Sequence, residues 1–413
     1  MRSLFFLILT FHFINLNGQT ITNYTSADGL IDDFVECVAV DINDNVWFGT
    51  SIGLQMFDGV NWTSYNTANY PAMVNDNIKV LSTTSNGDVW IGTDFGASRF
   101  DGINWYTYST STMQTIPLIS NQIKSIDQDP NTDIVWIGTN LGVTPVDLSG
   151  STNSISIGSP DLHWSGVNAT SFNSNGDVWF SSPLGGATHY DGLNFTYYDT
   201  ADGLLSQNAT DILIDNLGNK WIGTGGGISI LNQNNSNFIH YTRMYVLPPP
   251  DTLNPVVDIE KDSYGRIWVG IYVGYLAEGG VAYWNGNQWY DYDISDGIVG
   301  SNIKDIAIDS QNNIWVATST GVSKISSLPN SIDNISTDEI LIFPNPSTGN
   351  VTIQNNGNIQ HLYIYDILGN VIVSKSINNT SNIDLNLSFL TKGIYKISTI
   401  ENRQNKSTHL ILM

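Results

Sequence analysis

The chain has 413 residues, too many for one ordinary core, and 38 Asp and Glu against 15 Lys and Arg give a formal net charge of −23. That balance repels phosphate backbones and anionic lipid; with no basic stripe for counterion release, nucleic acid is excluded as a partner. The single cysteine, Cys37, lies in the apolar run Phe34-Val-Glu-Cys-Val-Ala-Val40. It cannot form an internal disulfide and reads as a small buried hydrophobe.

At the N-terminus, Met1-Arg2-Ser3 sets a positive charge before an apolar run from Leu4 to Ile14. That run is too short to span a membrane and has signal-peptide grammar, so residues 1–18 are expected to be removed near Gly18 or Gln19. No later stretch reaches the about 18 apolar residues a membrane helix needs. An exported protein with no transmembrane segment follows.

From there the chain repeats one phrase, Trp-x-Gly-Thr. It occurs at Trp47, Trp90, Trp136 and Trp221 and, degraded, at Trp179, Trp268 and Trp315, with spacings of 43, 46, 43, 42, 47 and 47 residues. Residues 77–108 make one clean unit: strands at Ile78–Leu81, Val89–Thr93, Ala97–Phe100 and Asn104–Tyr108, separated by Asn-Gly and Asp-Gly turns. Four short antiparallel strands at a period of about 40–50 residues are a propeller blade. Within Trp-x-Gly, alternation puts Trp and Gly on one face. The indole is expected to cover the neighbouring blade, and Gly to leave room for that blade's bulky group. The glycine after each Thr, such as Gly53 and Gly96, fits a tight hairpin with positive φ.

The seventh unit stops after three strands, at Ile325. Thr20-Ile-Thr-Asn-Tyr24 with Ala27-Asp-Gly-Leu30 matches the fourth strand and exit loop seen at Tyr197–Leu204. The expected fold of residues 19–326 is thus an all-β, seven-bladed β-propeller closed by an N-terminal strand, which leaves no open sheet edge.

The full pattern, D-x-x-G-N-x-W-I-G-T-x-x-G-x-x-x-F-D-G, resembles the two-component-regulator propeller repeat of sensor regions in Bacteroidetes hybrid histidine kinases. No kinase or receiver follows it here, so the resemblance implies the fold and ligand capture rather than signalling. Residues 327–339 form a polar linker. Residues 340–413 contain a run of short strands expected to make a small C-terminal β-sandwich. Pro344-Asn345-Pro346, Tyr365-Asp-Ile-Leu-Gly369 and Leu390-Thr-Lys-Gly393-Ile-Tyr395 resemble the type A C-terminal sorting domain of the type IX secretion system. That resemblance implies the type IX machinery as partner and a place outside the cell or anchored at the outer-membrane surface. The ending His409–Met413 lacks the basic residue the family carries near its terminus.

No catalytic motif is present: the sequence has no Gly-x-Ser-x-Gly elbow, phosphate loop or His-Glu-x-x-His helix. His163, His189, His240, His361 and His409 are scattered, and no metal or cofactor is expected. The Asp- and Asn-rich turns at Asp41, Asp127 and Asp215 read as structural, with calcium as the lesser alternative. Loops on a rigid scaffold carry specificity, and the longest insertions enter the sixth unit and precede the fourth. They place Arg243, Tyr245, Tyr272, Tyr275, Glu278, His163 and Trp164 at the expected mouth of a central channel. Aromatic platforms with a few polar groups suit sugar rings. The function expected is a secreted binding module for a polysaccharide or surface protein; the alternative is a propeller-fold lyase or hydrolase acting on extracellular polysaccharide. Close approach of His240 to Glu278 or His163 would favour the enzyme.

Overall fold

The computed structural model describes residues 20–111, 117–148, 156–159, 161–164, 166–245, 254–274, 276, 278–326, 341–343, 347–365, 371–401 and 404–412. The signal segment, the linker, Tyr275, Pro344, Asn345, Pro346 and Gly369 lie outside these residues. The chain divides into two compact units, residues 1–328 and 329–413.

Among the described residues the first unit holds seven four-stranded antiparallel sheets. Six run in chain order: residues 35–65, 80–108, 123–158, 169–198, 209–241 and 256–292. The seventh joins Ile303–Ile308, Ile314–Thr318 and Gly321–Ser326 to Thr20–Tyr24 from the other end of the chain. Thr20 pairs with Ser326 and Tyr24 with Val322. Asn23 fixes this strand further: its Nδ2 donates to Gly297 O (2.9 Å), and its Oδ1 accepts from Ser323 Oγ (2.7 Å). The first strands of successive sheets lie side by side, and that of the seventh lies beside that of the first.

Sheets pack face to face, so simple in/out alternation is lost. Val46–Thr50, Val89–Thr93, Val178–Ser182, Lys220–Thr224 and Ile314–Thr318 are buried along their whole length. Trp47, Cys37 and Leu54 of the first sheet share a cluster with Ile78, Val89 and Ile91 of the second; Val35 and Phe48 share another with Trp315 and Val322 of the seventh. The expected division of labour within Trp-x-Gly holds. A Cβ on Gly49 would come within 2.7 Å of Ile78 Cγ2 on the next sheet, so only hydrogen fits. Gly53 has φ 142°, and a Cβ there would meet Tyr65 O at 2.7 Å. The Thr serves the same hairpin: Thr50 Oγ1 donates to Gly53 O (2.8 Å) and accepts from Ile52 N (3.2 Å). Thr93, Thr139, Thr224 and Thr318 repeat the first of these bonds at 2.8–2.9 Å.

Among the described residues the strands of the second unit form one hydrogen-bonded sheet of five, where the sequence suggested a two-sheet sandwich. Two of them are longer than expected: Asn350–Tyr365 and Val371–Asn386 each run 16 residues where the sequence suggested pairs of short strands. Pairing continues past the Asn-Asn-Gly-Asn stretch through register shifts between Gln354 and Ile359 and between Ile359 and His361, where bulges let a strand bend without ending. One cluster collects Val351, Ile353, Leu362, Ile364, Ile383, Leu387, Tyr395, Ile397, Leu410 and Leu412. Tyr395 is buried there and donates its OH to Thr391 O (2.7 Å).

Candidate functional site

The first strands of the seven sheets line a central cavity of about 490 Å³. Five of them carry a register shift at the same place, between Val35 and Cys37, Ile123 and Ser125, Ala209 and Asp211, Val256 and Asp258, and Ile303 and Asp305. A bulge re-aims the extra side chain. The residues so placed are Glu36, Lys124, Thr210, Val257 and Lys304, all on the cavity wall. Glu36 takes Lys79 at 3.2 Å and Lys304 at 3.6 Å, which makes a charged collar across three sheets.

Beside the collar, four carboxyls and one hydroxyl on the first strands tie five of the seven seams between sheets. Asp305 Oδ2 accepts the N–H of Val38 (2.8 Å), Asp258 Oδ2 that of Ile306 (2.9 Å), and Asp211 Oδ2 that of Ile259 (2.6 Å). Asp127 Oδ2 accepts from Thr170 N (3.1 Å), and Ser171 Oγ plays the same part for Ile214 N (3.1 Å). The Asp305 to Val38 bond joins the seventh sheet to the first. The charge of Asp258 acts on both Asp211 and Asp305, so holding all three ionised together is unfavourable. Burial pushes Asp127 up to about 7 and Glu260 up to about 8, with the charge of Asp258 adding to the latter. Burial, then the charge of Asp258, also raises Asp211 and Asp305 well above the usual carboxylate range. These side chains keep part of their surface open to the cavity while protein surrounds them.

The sequence reading missed this layer. Its signal was present as a charged or polar residue inside an otherwise apolar first strand, as in Val256-Val-Asp-Ile-Glu260 and Ile303-Lys-Asp-Ile306. Cys37, expected as a buried hydrophobe, is 2% exposed in the same layer, and burial raises its thiol well above the ordinary range.

The predicted mouth residues fall into two groups. His163 sits 5.1 Å, ring to ring, from Tyr197 of the fourth sheet; Trp164, 48% exposed, lies against Gly185 of the same sheet. Tyr272 and Glu278 extend the sixth sheet, where Tyr272 pairs with Gly279 and Val273 with Glu278. Arg243 is exposed. Tyr245 is buried in the sixth-sheet cluster and donates its OH to Asp293 Oδ2 (3.1 Å), with its N–H on Asn254 Oδ1 (2.8 Å); burial and Asp293 raise its phenol. His240 hydrogen-bonds Ser229 Oγ at 3.1 Å and stacks on Phe238, so its contacts are with neither Glu278 nor His163. The Asp41 carboxylate is taken by its own turn, accepting from Asn43 N, Asn45 N, Asn45 Nδ2 and Trp47 Nε1. Among the described residues no three His, Cys, Asp or Glu side chains are grouped to hold a metal ion.

Comparison with known proteins matches residues 341–413 to the secretion system C-terminal sorting domain and residues 297–320 to the two component regulator propeller. Both resemblances read from the sequence are thereby shown. The sorting domain makes this a secreted or outer-membrane surface protein, and no helix among the described residues is long and apolar enough to cross a membrane. No curated protein matches the sequence. Among solved structures, the extracellular domain of a hybrid two component system from B. thetaiotaomicron is 18% identical with a TM-score of 0.62, covering 95% of this chain and 57% of that one. PorZ, a surface component of the type IX secretion system of Porphyromonas gingivalis, is 15% identical with a TM-score of 0.55, covering 93% and 60%. This chain therefore spans less than two thirds of either. A virginiamycin B lyase from Staphylococcus aureus is 14% identical with a TM-score of 0.55, covering 75% of this chain and all of that one. At these identities the likeness is one of fold: the first unit is a β-propeller.

Proposed function

We propose that this chain is a ligand-capturing module, exported by type IX secretion through residues 340–413 and displayed outside the cell. Its first unit is read as a seven-bladed ring closed by the N-terminal strand, with ligand specificity in the loops around Arg243, Tyr272, Tyr275, Glu278, His163 and Trp164. The observation that carries this reading is the sorting-domain match in the same chain as a propeller. The cavity carboxyls that could serve as acids or bases are instead spent on the backbone of the next sheet, which favours binding over a lyase or hydrolase reaction. The ligand is a polysaccharide or an envelope protein, and structural calcium in the Asp-rich turns would show as calcium-dependent melting.

Two measurements test the proposal. Deleting residues 340–413 should leave the propeller inside the cell envelope, as read by fractionation and surface labelling; unchanged surface delivery would refute the export route. The mature full chain should then be probed against polysaccharide and envelope-protein arrays, with and without calcium. Alanine at Tyr272 and Tyr275 together should abolish retention of the captured ligand without lowering the melting temperature. Retention equal to that of the parent would remove these loops as the site.

A further inference from the structure

On the rim of the propeller, where the fourth and fifth sheets meet, is a cleft of about 410 Å³ lined by Tyr198, Asp202, Leu231, Asn235, Ser236, Asn237, Phe238 and His240. It is separate from the axial cavity, since the two share no lining residue. Phe238 and His240 are alternate residues of the outer strand Phe238–Tyr241, so their rings project from one face. They lie nearly parallel, 6.0 Å apart with planes 12° from each other. Tyr198 of the preceding sheet closes the wall, 6.5 Å from Phe238 and edge-on to it.

The opposite side is polar and held in place. Residues 232–237 form a turn in which Asn232 N donates to Asn237 O (3.0 Å), Asn235 N donates to Asn232 O (2.9 Å) and Ser236 N donates to Asn232 Oδ1 (2.9 Å). Asn235 holds φ at 56°, a conformation Asn tolerates better than most residues. Its side-chain Oδ1 is buried without a hydrogen-bond partner, and the residue lines the cleft. One oxygen of Asp202 accepts from Asp199 N (3.1 Å). The Nδ1 of His240 is engaged by Ser229, which leaves Nε2 for an outside partner.

We infer that this cleft is a binding subsite for a neutral saccharide, with the Phe238–His240 shelf under the sugar ring and Asn235, Ser236, Asn237 and Asp202 reading its hydroxyls. The composition selects the ligand. Apolar C–H faces stack on aromatic rings while amide, hydroxyl and carboxylate groups both give and take hydrogen bonds. No Lys or Arg lines the cleft, and Asp202 together with a net charge of −23 repels uronic or sulfated sugars. The inference rests on the polysaccharide arm of the proposed function, and it adds a rim subsite to the loops named there.

The test is calorimetric titration of the mature full chain with cellohexaose, maltohexaose, mannohexaose and laminarihexaose, with a galacturonate hexamer as the charged control. One neutral hexamer should bind and the galacturonate should not. Phe238→Ala and His240→Ala should each weaken binding about tenfold, the scale of one lost aromatic contact. Asn235→Gly, which keeps the left-handed backbone, should weaken it as well. Ile103→Ala, an 85% exposed side chain in a turn of the second sheet and outside the cleft, should leave it unchanged. Melting curves confirm that each variant is folded, and His240→Ala, exposed and remote from the core, guards against a folding failure at Phe238. Binding lost in Trp164→Ala and Tyr272→Ala variants but kept in the cleft variants would overturn the cleft and leave the mouth as the site. No binding of any neutral hexamer would overturn the inference as well, while the surface-delivery and envelope-protein measurements would still decide the proposed function.

Discussion

The tryptophans at 47, 221, 268 and 315 each donate the indole N–H to an aspartate six residues earlier: Asp41 and Asp215 at 2.9 Å, Asp262 at 3.0 Å and Asp309 at 3.1 Å. That carboxylate also closes the hairpin between the first two strands; Asp309 accepts from Gln311 N, Asn313 N and Asn313 Nδ2. In the second and fourth sheets the acid stands two residues before the Trp and turns to a base on the third strand. Asp88 faces Arg99 at 3.5 Å, and Asp177 meets His189 at 2.9 Å. The indole nitrogens of Trp90 and Trp179 then lack a hydrogen-bond partner, although Trp179 stacks on His189 at 4.6 Å. Removing a partner from a buried donor exposes its full desolvation cost. Asp309→Ala should therefore lower stability by about 1–3 kcal/mol, read by urea denaturation followed through tryptophan fluorescence. A loss of only a few tenths would mean that the turn, and not the indole cap, sets the energy.

At the scale of elements, connections between sheets are fastened by a repeated bond to the third strand of the next sheet. Ile31 N donates to Gln55 Oε1, Val74 N to Ser98 Oγ, Ile119 N to Thr144 Oγ1, Leu205 N to Ser229 Oγ and Val299 N to Ser323 Oγ, at 2.7–3.1 Å. Among the described strands of the first unit, the N-terminal one alone pairs with a strand distant in sequence. Deleting residues 20–24 should expose the Gly321–Ser326 edge, broaden the calorimetric transition and produce oligomers on size exclusion, because an unpaired strand edge templates pairing with another chain. A sharp, monomeric transition after the deletion would show that the sheets hold together without it. This strand was legible because it copies the fourth-strand phrase at Tyr197–Leu204. The repeat was legible for a related reason: Trp-x-Gly-Thr packs the same way in each sheet and so recurs as text. The inner strands resisted reading, since Lys79, Asp127, Asp211 and Glu260 differ from sheet to sheet and their roles arise only when seven strands face one cavity. The tail's long strands were hidden by the Asn-Asn-Gly-Asn stretch, which has turn composition but lies within a bulged, paired strand. Tyr245 drew attention as an insertion aromatic, but Asn254 and Asp293 draw it into the core.

For the whole molecule, the carboxyl chain around the cavity couples the seams between sheets to pH. Asp127, Asp211, Asp258, Glu260 and Asp305 all have raised values in the folded state, burial being the largest cause. A folded state that holds such protons binds more of them than the unfolded chain, whose carboxyls titrate near about 4. Stability from this source is complete below the unfolded values and is lost as pH rises through the folded ones, about 7 for Asp127 and about 8 for Glu260. The melting temperature should therefore fall from mildly acidic to alkaline pH. Self-repulsion within a chain of net charge −23 acts in the same direction, so the slope alone does not identify the cavity. Two controls separate the causes. High salt screens the surface part and leaves the buried part largely intact. Asp258→Asn keeps an oxygen for the Ile306 N–H while removing the central charge between Asp211 and Asp305, so it should flatten the alkaline limb and raise stability there. If the Asn variant loses stability with pH as steeply as the parent in high salt, the cavity carboxyls are not what titrates, and the seams are held by apolar packing alone.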